Sequence, residues 1–432
     1  GCQVMAQGSP PTRKGGDAKG GLQQRMSSDG VRRGGVKMIN FDDSEGSASD
    51  DDAGVGSSLQ KDLRAVKGLL VTPLNLLLLF FPLGIASGVF HWGESWTFLL
   101  NFIALVPLAG LMGTATESIA LHTGDLIGGL INATFGNAIE MIVTWEALHQ
   151  AKDPEHRYMV QVVQGSLLGS VLSNLLLVLG TAFLIGGVWF SEQGFNIKGA
   201  TSNVSCLLLS SIALILPTMY SYTNDVSEAD VLMASRISAI VLTGMYVLFL
   251  VFQLKTHVHL FQTAGDEDEE PEMSALCSGL VLFVIVVAAI QSSEFLVKAL
   301  RGFTNNAGVP KTFVGVILLP FVGNAVEHTT AVTSAVKNKM DLAIGIAVGS
   351  STQIALFVVP FSVLLAWTMD VPLSLNFHMF DAGVMILSVL IVGAVVADGY
   401  SNWLEGAMLV ATYILCGIMF FMNADNPGHE EL

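Results

Sequence analysis

Two five-residue words recur in this chain, Gly136-Asn137-Ala138-Ile139-Glu140 and Gly323-Asn324-Ala325-Val326-Glu327. Each lies inside a long apolar stretch, GGLINATFGNAIEMIVTWEAL in the first case and FVGVILLPFVGNAVEHTTAVTSAV in the second. Residues three apart share a helix face, so Asn137 stands beside Glu140 and Asn324 beside Glu327. Two carboxylates with amide and hydroxyl oxygens make a hard, oxygen-rich cage. Ca²⁺ takes about six to eight such ligands, backbone carbonyls and water included. The same groups can carry protons, because removal from water disfavours the charged form of a carboxyl group. A site neutralised either by Ca²⁺ or by protons, and opened alternately to two sides, is sufficient for antiport. Glu140 and Glu327 are therefore the expected metal ligands, with Asn137 and Asn324 beside them.

Neighbouring residues add to this chemistry. His328 follows Glu327 and brings a group that titrates near neutral pH. It points roughly 100° round the helix from Glu327, so it serves either as a proton carrier or as a hydrogen-bond donor. The glycine before each Asn permits close helix approach or local unwinding. Pro320, three residues before Gly323, favours a break there. A second echo pairs Gly169-Ser170-Val171-Leu172-Ser173-Asn174 with Gly349-Ser350-Ser351-Thr352-Gln353. Its hydroxyls (Ser170, Ser173, Ser350, Ser351, Thr352) either line a site or only bond a neighbouring helix. A third echo pairs Thr116-Glu117 with Ser293-Glu294, whose acids read as gating or as interfacial. Glu146, Asp381 and Glu405 have no counterpart in the repeat and receive no role.

The elements that must position these residues follow from composition. The chain has 432 residues, 52% hydrophobic and 13% charged, with a mean hydropathy of +0.60. Soluble domains run near a quarter charged. An ordinary soluble enzyme, a disordered protein and a nucleic-acid binder are excluded. An all-α polytopic membrane protein is expected, with the lipid bilayer as its surroundings. Apolar stretches near 69–91, 97–120, 126–148, 160–189, 200–221, 232–254, 274–298, 313–336, 342–369, 376–397 and 402–422 give about eleven transmembrane helices. They must be helices, because lipid cannot satisfy open strand edges.

The net charge of -16 is unusual for such a chain. Residues 1–67 are not its source, since they hold ten bases against nine acids. They read as a disordered N-terminal tail, with no signal peptide visible; the chain opens on Gly, which leaves a missing start open. Residues 68–95 hold the first transmembrane helix, 96–255 a first five-helix repeat and 274–422 a second, with 423–432 as a C-terminal tail. Between the repeats, 256–273 form an acidic linker carrying Asp266, Glu267, Asp268, Glu269, Glu270 and Glu272. An odd number of spans per repeat forces the two halves into opposite orientation. Inverted repeats are a hallmark of secondary transporters, whose sites lie at the midplane between the repeats. Basic residues near the membrane divide almost evenly between the two sides and leave a cytosolic tail as a weak inference. No Gly-Lys pair occurs, so the phosphate loop of an ATP-driven pump is lacking. The four cysteines lie far apart, with no metal or disulfide spacing.

At this point the residues resemble a known family. ALVPLAGLMGTATESIA, GGLINATFGNAIEMIV, VVQGSLLGSVLSNLLLVLG, VGNAVEHTTAVTSAVKNKMDLAIGIAVGSSTQIALFVVPF and DGYSNWLEGAMLVATYIL are similar to the cation/proton exchangers of the Ca²⁺/cation antiporter superfamily, the vacuolar Ca²⁺/H⁺ exchanger type. The resemblance covers nearly everything from 70 to 422. It implies one initial helix plus two inverted five-helix repeats. It implies a midplane Ca²⁺ site around Glu140 and Glu327, with Asn137, Asn324, Ser173 and Gln353 close by. Glu117, Glu294 and His328 match further positions of the family, and Gln164 is a weaker carry-over. The implied function is a transporter, not an enzyme. It moves cytosolic Ca²⁺, or other divalents such as Mn²⁺, into a vacuole or other acidic organelle in exchange for H⁺. No cofactor is implied beyond the transported Ca²⁺ and H⁺; no nucleic-acid partner is expected, and a homo-oligomer stays open. Ile139, Val326 and Met141 depart from the residues often found there, which bears on metal preference. The alternatives are a Na⁺- or K⁺-coupled exchanger of the same superfamily, a divalent cation channel, and a membrane scaffold using its acidic loop.

Overall fold

The computed structural model describes residues 50–123, 125–261, 271 and 273–422, with the side chains of 50–59, 125, 126 and 133 left aside. Asp266, Glu267, Asp268, Glu269, Glu270 and Glu272 of the linker, most of the N-terminal tail and the C-terminal tail lie outside the described residues. What is described is predominantly helical, with one short strand pair.

In chain order the helices are α1 (Asp50–Leu70), α2 (Pro73–Val89), α3 (Glu94–Thr123), α4 (Asp125–Phe135), α5 (Ala138–Gln150), α6 (Pro154–Trp189), α7 (Ile197–Ser221) and α8 (Glu228–Thr256). After the linker come α9 (Ala275–Ala307), α10 (Lys311–Gly323), α11 (Ala325–Val336), α12 (Met340–Thr368), α13 (Met379–Val395) and α14 (Trp403–Met422). Strands β1 (Gln193–Gly194) and β2 (Tyr400–Ser401) pair antiparallel and tie the α6–α7 and α13–α14 connections together.

Every expected apolar stretch holds a helix, but two of them are broken. The stretch 126–148 divides into α4 and α5 at Gly136–Asn137. The stretch 313–336 divides into α10 and α11 at Asn324, with a bend of 57°. The second break falls where Pro320 and Gly323 favour one. Among the described residues, seven helices are long and apolar enough to cross a membrane, or nine if each bent pair counts as one span. The α4–α5 pair and the 17-residue α13 make up the difference from eleven, so length and apolarity alone do not establish that count. One expectation needs correction. Residues 50–67, read as part of a disordered tail, belong to α1. Alternating charged and apolar side chains there (Lys61, Asp62, Leu63, Arg64, Val66, Lys67) suit a helix with one wet face, which a composition argument overlooks. α1 turns into α2 through 83°.

Helices α3 and α9 lead the two repeats and form the most extensive helix pair. The rings of Phe98 and Phe303 stack with centroids 4.1 Å apart. Ser118 and Ser278 share a buried hydroxyl contact of 2.8 Å. Between them Ser292 Oγ donates to Asn101 Oδ1 at 2.9 Å, and Asn101 Nδ2 donates to Gly84 O of α2 at 3.2 Å. Such bonds between helices replace water that lipid cannot supply.

Helices α6 and α12 occupy corresponding places in the repeats and are the most enclosed spans. Leu172, Leu175, Leu176 and Leu179 of α6 are completely buried. Helix α10 comes so close to α6 that a methyl group on Gly169 would overlap Val316 O and reach Pro320 Cγ at 2.7 Å. Only glycine tolerates this approach, and it brings the α10–α11 break against α6. By contrast α8 and α14 are largely exposed, with Val247, Leu248, Leu415 and Ile418 outward, as lipid-facing surfaces require.

On the linker side, Asp62 of α1 reaches the start of α9. Ser274 donates to it twice, from its backbone N–H at 2.8 Å and from Oγ at 2.6 Å. These two bonds hold the Asp62 carboxyl below the usual carboxylate range. His122 Nε2 lies 2.8 Å from Met273 O, one residue earlier.

Candidate functional site

The two breaks have the same local design. Asn137 precedes α5 with φ -105° and ψ 20°, and Asn324 precedes α11 with φ -92° and ψ 11°. Glu140 is the third residue of α5 and Glu327 the third of α11. Each carboxylate therefore lies in the first turn of a half-helix, where the partial positive charge of the N-terminus favours an anion. Breaking the span creates that N-terminus inside the protein instead of at its surface.

The breaks meet. The carboxyl group of Glu140 lies against Gly323, where a methyl group would overlap Oε1 and come within 2.8 Å of Cδ. Glu140 and Glu327 are close enough to interact electrostatically. Asn324 Nδ2 donates to Ser170 O of α6 at 3.0 Å, and Asn137 Nδ2 donates to Gln353 Oε1 of α12 at 3.1 Å. Each hinge asparagine is thus held by the central helix of the opposite repeat. A further bond joins the two central helices, from Asn174 Nδ2 to Ser350 Oγ at 3.0 Å.

Among the described residues, several buried oxygens here lack hydrogen-bond partners: both carboxylate oxygens of Glu140, Oε2 of Glu327, Oδ1 of Asn324, Oγ of Ser170 and Oδ1 of Asn174. Leaving buried acceptors unsatisfied is costly. A cluster of them suits a ligand that accepts only oxygen donors. No three His, Cys, Asp or Glu side chains converge on a metal position among the described residues. The groups available here are two carboxylates and neutral oxygens, a chemistry of the kind Ca²⁺ takes and unlike the sulfur and nitrogen donors preferred by Zn²⁺.

The expected site residues divide. Glu140, Asn137, Asn324 and Ser173 are buried, and Glu327 and Gln353 half-buried, around this point. His328 turns toward α6, with Nε2 3.0 Å from Thr181 Oγ1. That hydroxyl also bonds Leu177 O at 2.7 Å. Glu117 is exposed on α3. The Glu294 carboxylate pairs with Lys298, one helical turn along. Gln164 donates to Ser374 O at 2.7 Å and so holds the α12–α13 connection. Asn174, the last residue of the first Gly-Ser echo, joins the buried group, standing one turn after Ser170 on the same helix face. Glu146, left without a role, is buried and accepts from Gln150 Nε2 at 3.0 Å.

Comparison with known proteins gives the following. The family model described as sodium/calcium exchanger protein matches residues 70–255 and 277–422. A Ca²⁺/H⁺ antiporter of Synechocystis sp. is 41% identical over 367 residues, covering 81% of this chain and 96% of that one. A vacuolar calcium ion transporter of Schizosaccharomyces pombe is 39% identical over 359 residues, covering 82% and 85%. Among solved structures, native YfkE superposes with a TM-score of 0.69 at 35% identity, over 81% of this chain and 99% of that one.

Proposed function

This chain belongs to the sodium/calcium exchanger protein family, and from that premise we propose that it exchanges Ca²⁺ for H⁺ as a secondary transporter. It moves cytosolic Ca²⁺ into a vacuole or similar acidic compartment. The observation that carries this reading is the cluster of unpartnered buried oxygens around Glu140 and Glu327, at the meeting of two half-helix N-termini. The names of its relatives point the same way.

In the proposed cycle Ca²⁺ binds between the deprotonated Glu140 and Glu327 carboxylates, with Asn324, Ser170 and Asn174 supplying neutral oxygens. Protonation of the two carboxyl groups removes the negative charge that holds the ion, so Ca²⁺ leaves where protons are abundant. Ca²⁺ and protons cannot occupy the same oxygens together, and that exclusion couples the two fluxes. The hinges at Asn137 and Asn324 divide each site-bearing span into two halves that can tilt separately, as alternating access requires. The domain limits given above and the roles of Ser173, Gln353 and His328 belong to the same proposal, with His328 fixing the α6–α11 contact beside the site.

The test is Ca²⁺ uptake into sealed vesicles containing the protein under an imposed pH gradient. Uptake should collapse when a protonophore is added. Uptake indifferent to the protonophore overturns proton coupling, and uptake driven by Na⁺ or K⁺ in its place would establish the rival exchanger. Current carried by Ca²⁺ without a counter-ion would establish a channel.

A further inference from the structure

A second polar cavity, of about 120 Å³, opens between the starts of α7 and α12. Leu260 and Phe261 border it, so it lies on the face where the acidic linker begins. Asp341 and Asn196 are exposed at its mouth, and Gly199 and Asn203 are buried at its floor. One water needs only about 10–15 Å³ of such space, so a hydrated ion fits.

Two independent features point to a ligand. Asn203 is 5% exposed, and its Oδ1 has no hydrogen-bond partner. Asp341 accepts from Asn196 N–H through Oδ1 at 2.5 Å, which leaves its second oxygen for the cavity; no ion pair engages it among the described residues. The cavity also leads somewhere. Asp341, Gly345, Gly349 and Gln353 recur every fourth residue and so lie along one stripe of α12. Asp341 and Gly345 are exposed, and Gly349 and Gln353 half-buried. Thr352 Oγ1 donates to Asn203 O at 3.3 Å, and the adjacent Gln353 holds the hinge at Asn137.

We infer that this cavity is a loading site where a hydrated divalent cation is held before it passes along α12 to Glu140 and Glu327. The inference rests on the Ca²⁺/H⁺ reading for the identity of the ion. One carboxylate with amide oxygens and water makes a weak site, on the order of 10⁻⁴–10⁻³ M by analogy with sparsely charged oxygen sites. Weak binding suits entry, since an ion held tightly there would not move on.

The test uses the full chain in liposomes under a pH gradient. Asp341→Asn keeps an acceptor for Asn196 N–H but removes the charge. Asn203→Leu removes the unpartnered oxygen. Each should raise the KM for Ca²⁺ about 3- to 10-fold with the maximal rate unchanged. A wild-type KM in Asp341→Asn, with a defect only in Asp341→Ala, would make Asp341 a mere structural prop and overturn the inference. Gly345→Leu offers an independent check, because a Cβ there meets nothing within 4 Å and the side chain would fill the cavity. It too should raise KM, and an unchanged value counts against a loading site. Equilibrium binding of radiolabelled Ca²⁺ to the Glu140→Gln/Glu327→Gln variant separates the two proposals. Adding Asp341→Asn should remove one weakly bound ion per chain, and unchanged binding overturns the loading site. Failure of the transport reading would show differently, as absence of gradient-driven uptake in the unaltered protein.

Discussion

The carboxyl group of Glu140 rests on Gly323 of the opposite repeat, with no room for a methyl group between them. This contact explains why glycine precedes the second hinge asparagine. Gly323→Ala should therefore push Glu140 out of position and lower the Ca²⁺ uptake rate by about 100-fold, the scale associated with a misplacement of about 1 Å. Size-exclusion elution should stay near that of the parent. Full uptake in Gly323→Ala would show that the contact does not position Glu140.

Glu140→Gln and Glu327→Gln retain shape while removing the charge and the exchangeable proton. Each should reduce proton-driven Ca²⁺ uptake by at least about 100-fold, as loss of a principal oxygen ligand implies. Full activity in either variant removes that residue from the site.

Asn174 and Ser350 are joined by a 3.0 Å bond between the central helices. Replacing Ser350 with Ala should cost about 1 kcal/mol of transport-site stabilisation, roughly a 5-fold change in rate or KM, and Asn174→Ala should cost more because it also removes a proposed Ca²⁺ oxygen. If the bond is the shared cause, the double variant should be little worse than the poorer single one. Independent, multiplying effects in the double-mutant cycle would refute the coupling.

Asp62 holds Ser274 through two bonds, and its carboxyl is stronger as an acid for that reason. A carboxyl whose folded value is depressed contributes stability above its ordinary value, near 3.9, and loses it as pH falls through the folded value. The link between α1 and α9 should therefore survive mildly acidic pH and release only below about 4. Hydrogen exchange of residues 60–70 measured from neutral to acid pH checks this. Early loosening near pH 6, or no change in Asp62→Ala, would speak against the link.

The sequence by itself determined a great deal. The twin Gly-Asn-Ala-x-Glu words stand in the third and eighth apolar stretches, an offset of five, and that odd offset is what the inverted-repeat reading of Glu140 and Glu327 rests on, because hydropathy and residue identity are local properties. The Pro320–Gly323 break was legible for the same reason. What only the tertiary structure decided are the relations between distant residues. That Asn137 is held by Gln353 and Asn324 by Ser170 depends on α6 and α12 crossing between the hinges, and no local pattern encodes that crossing. The break at Asn137 lacks a proline; the glycine before it left close helix approach and local unwinding both open, and the structure shows the break. His328 and Thr181 meet because α11 lies against α6, and Gln164 turns to the Ser374 loop instead of the site. Acidity singles out Glu140 and Glu327, but Glu294 shares that acidity and pairs with Lys298. Spacing shows which residues occupy equivalent helix positions; close packing decides which of their oxygens are left without a hydrogen-bond partner among the described residues.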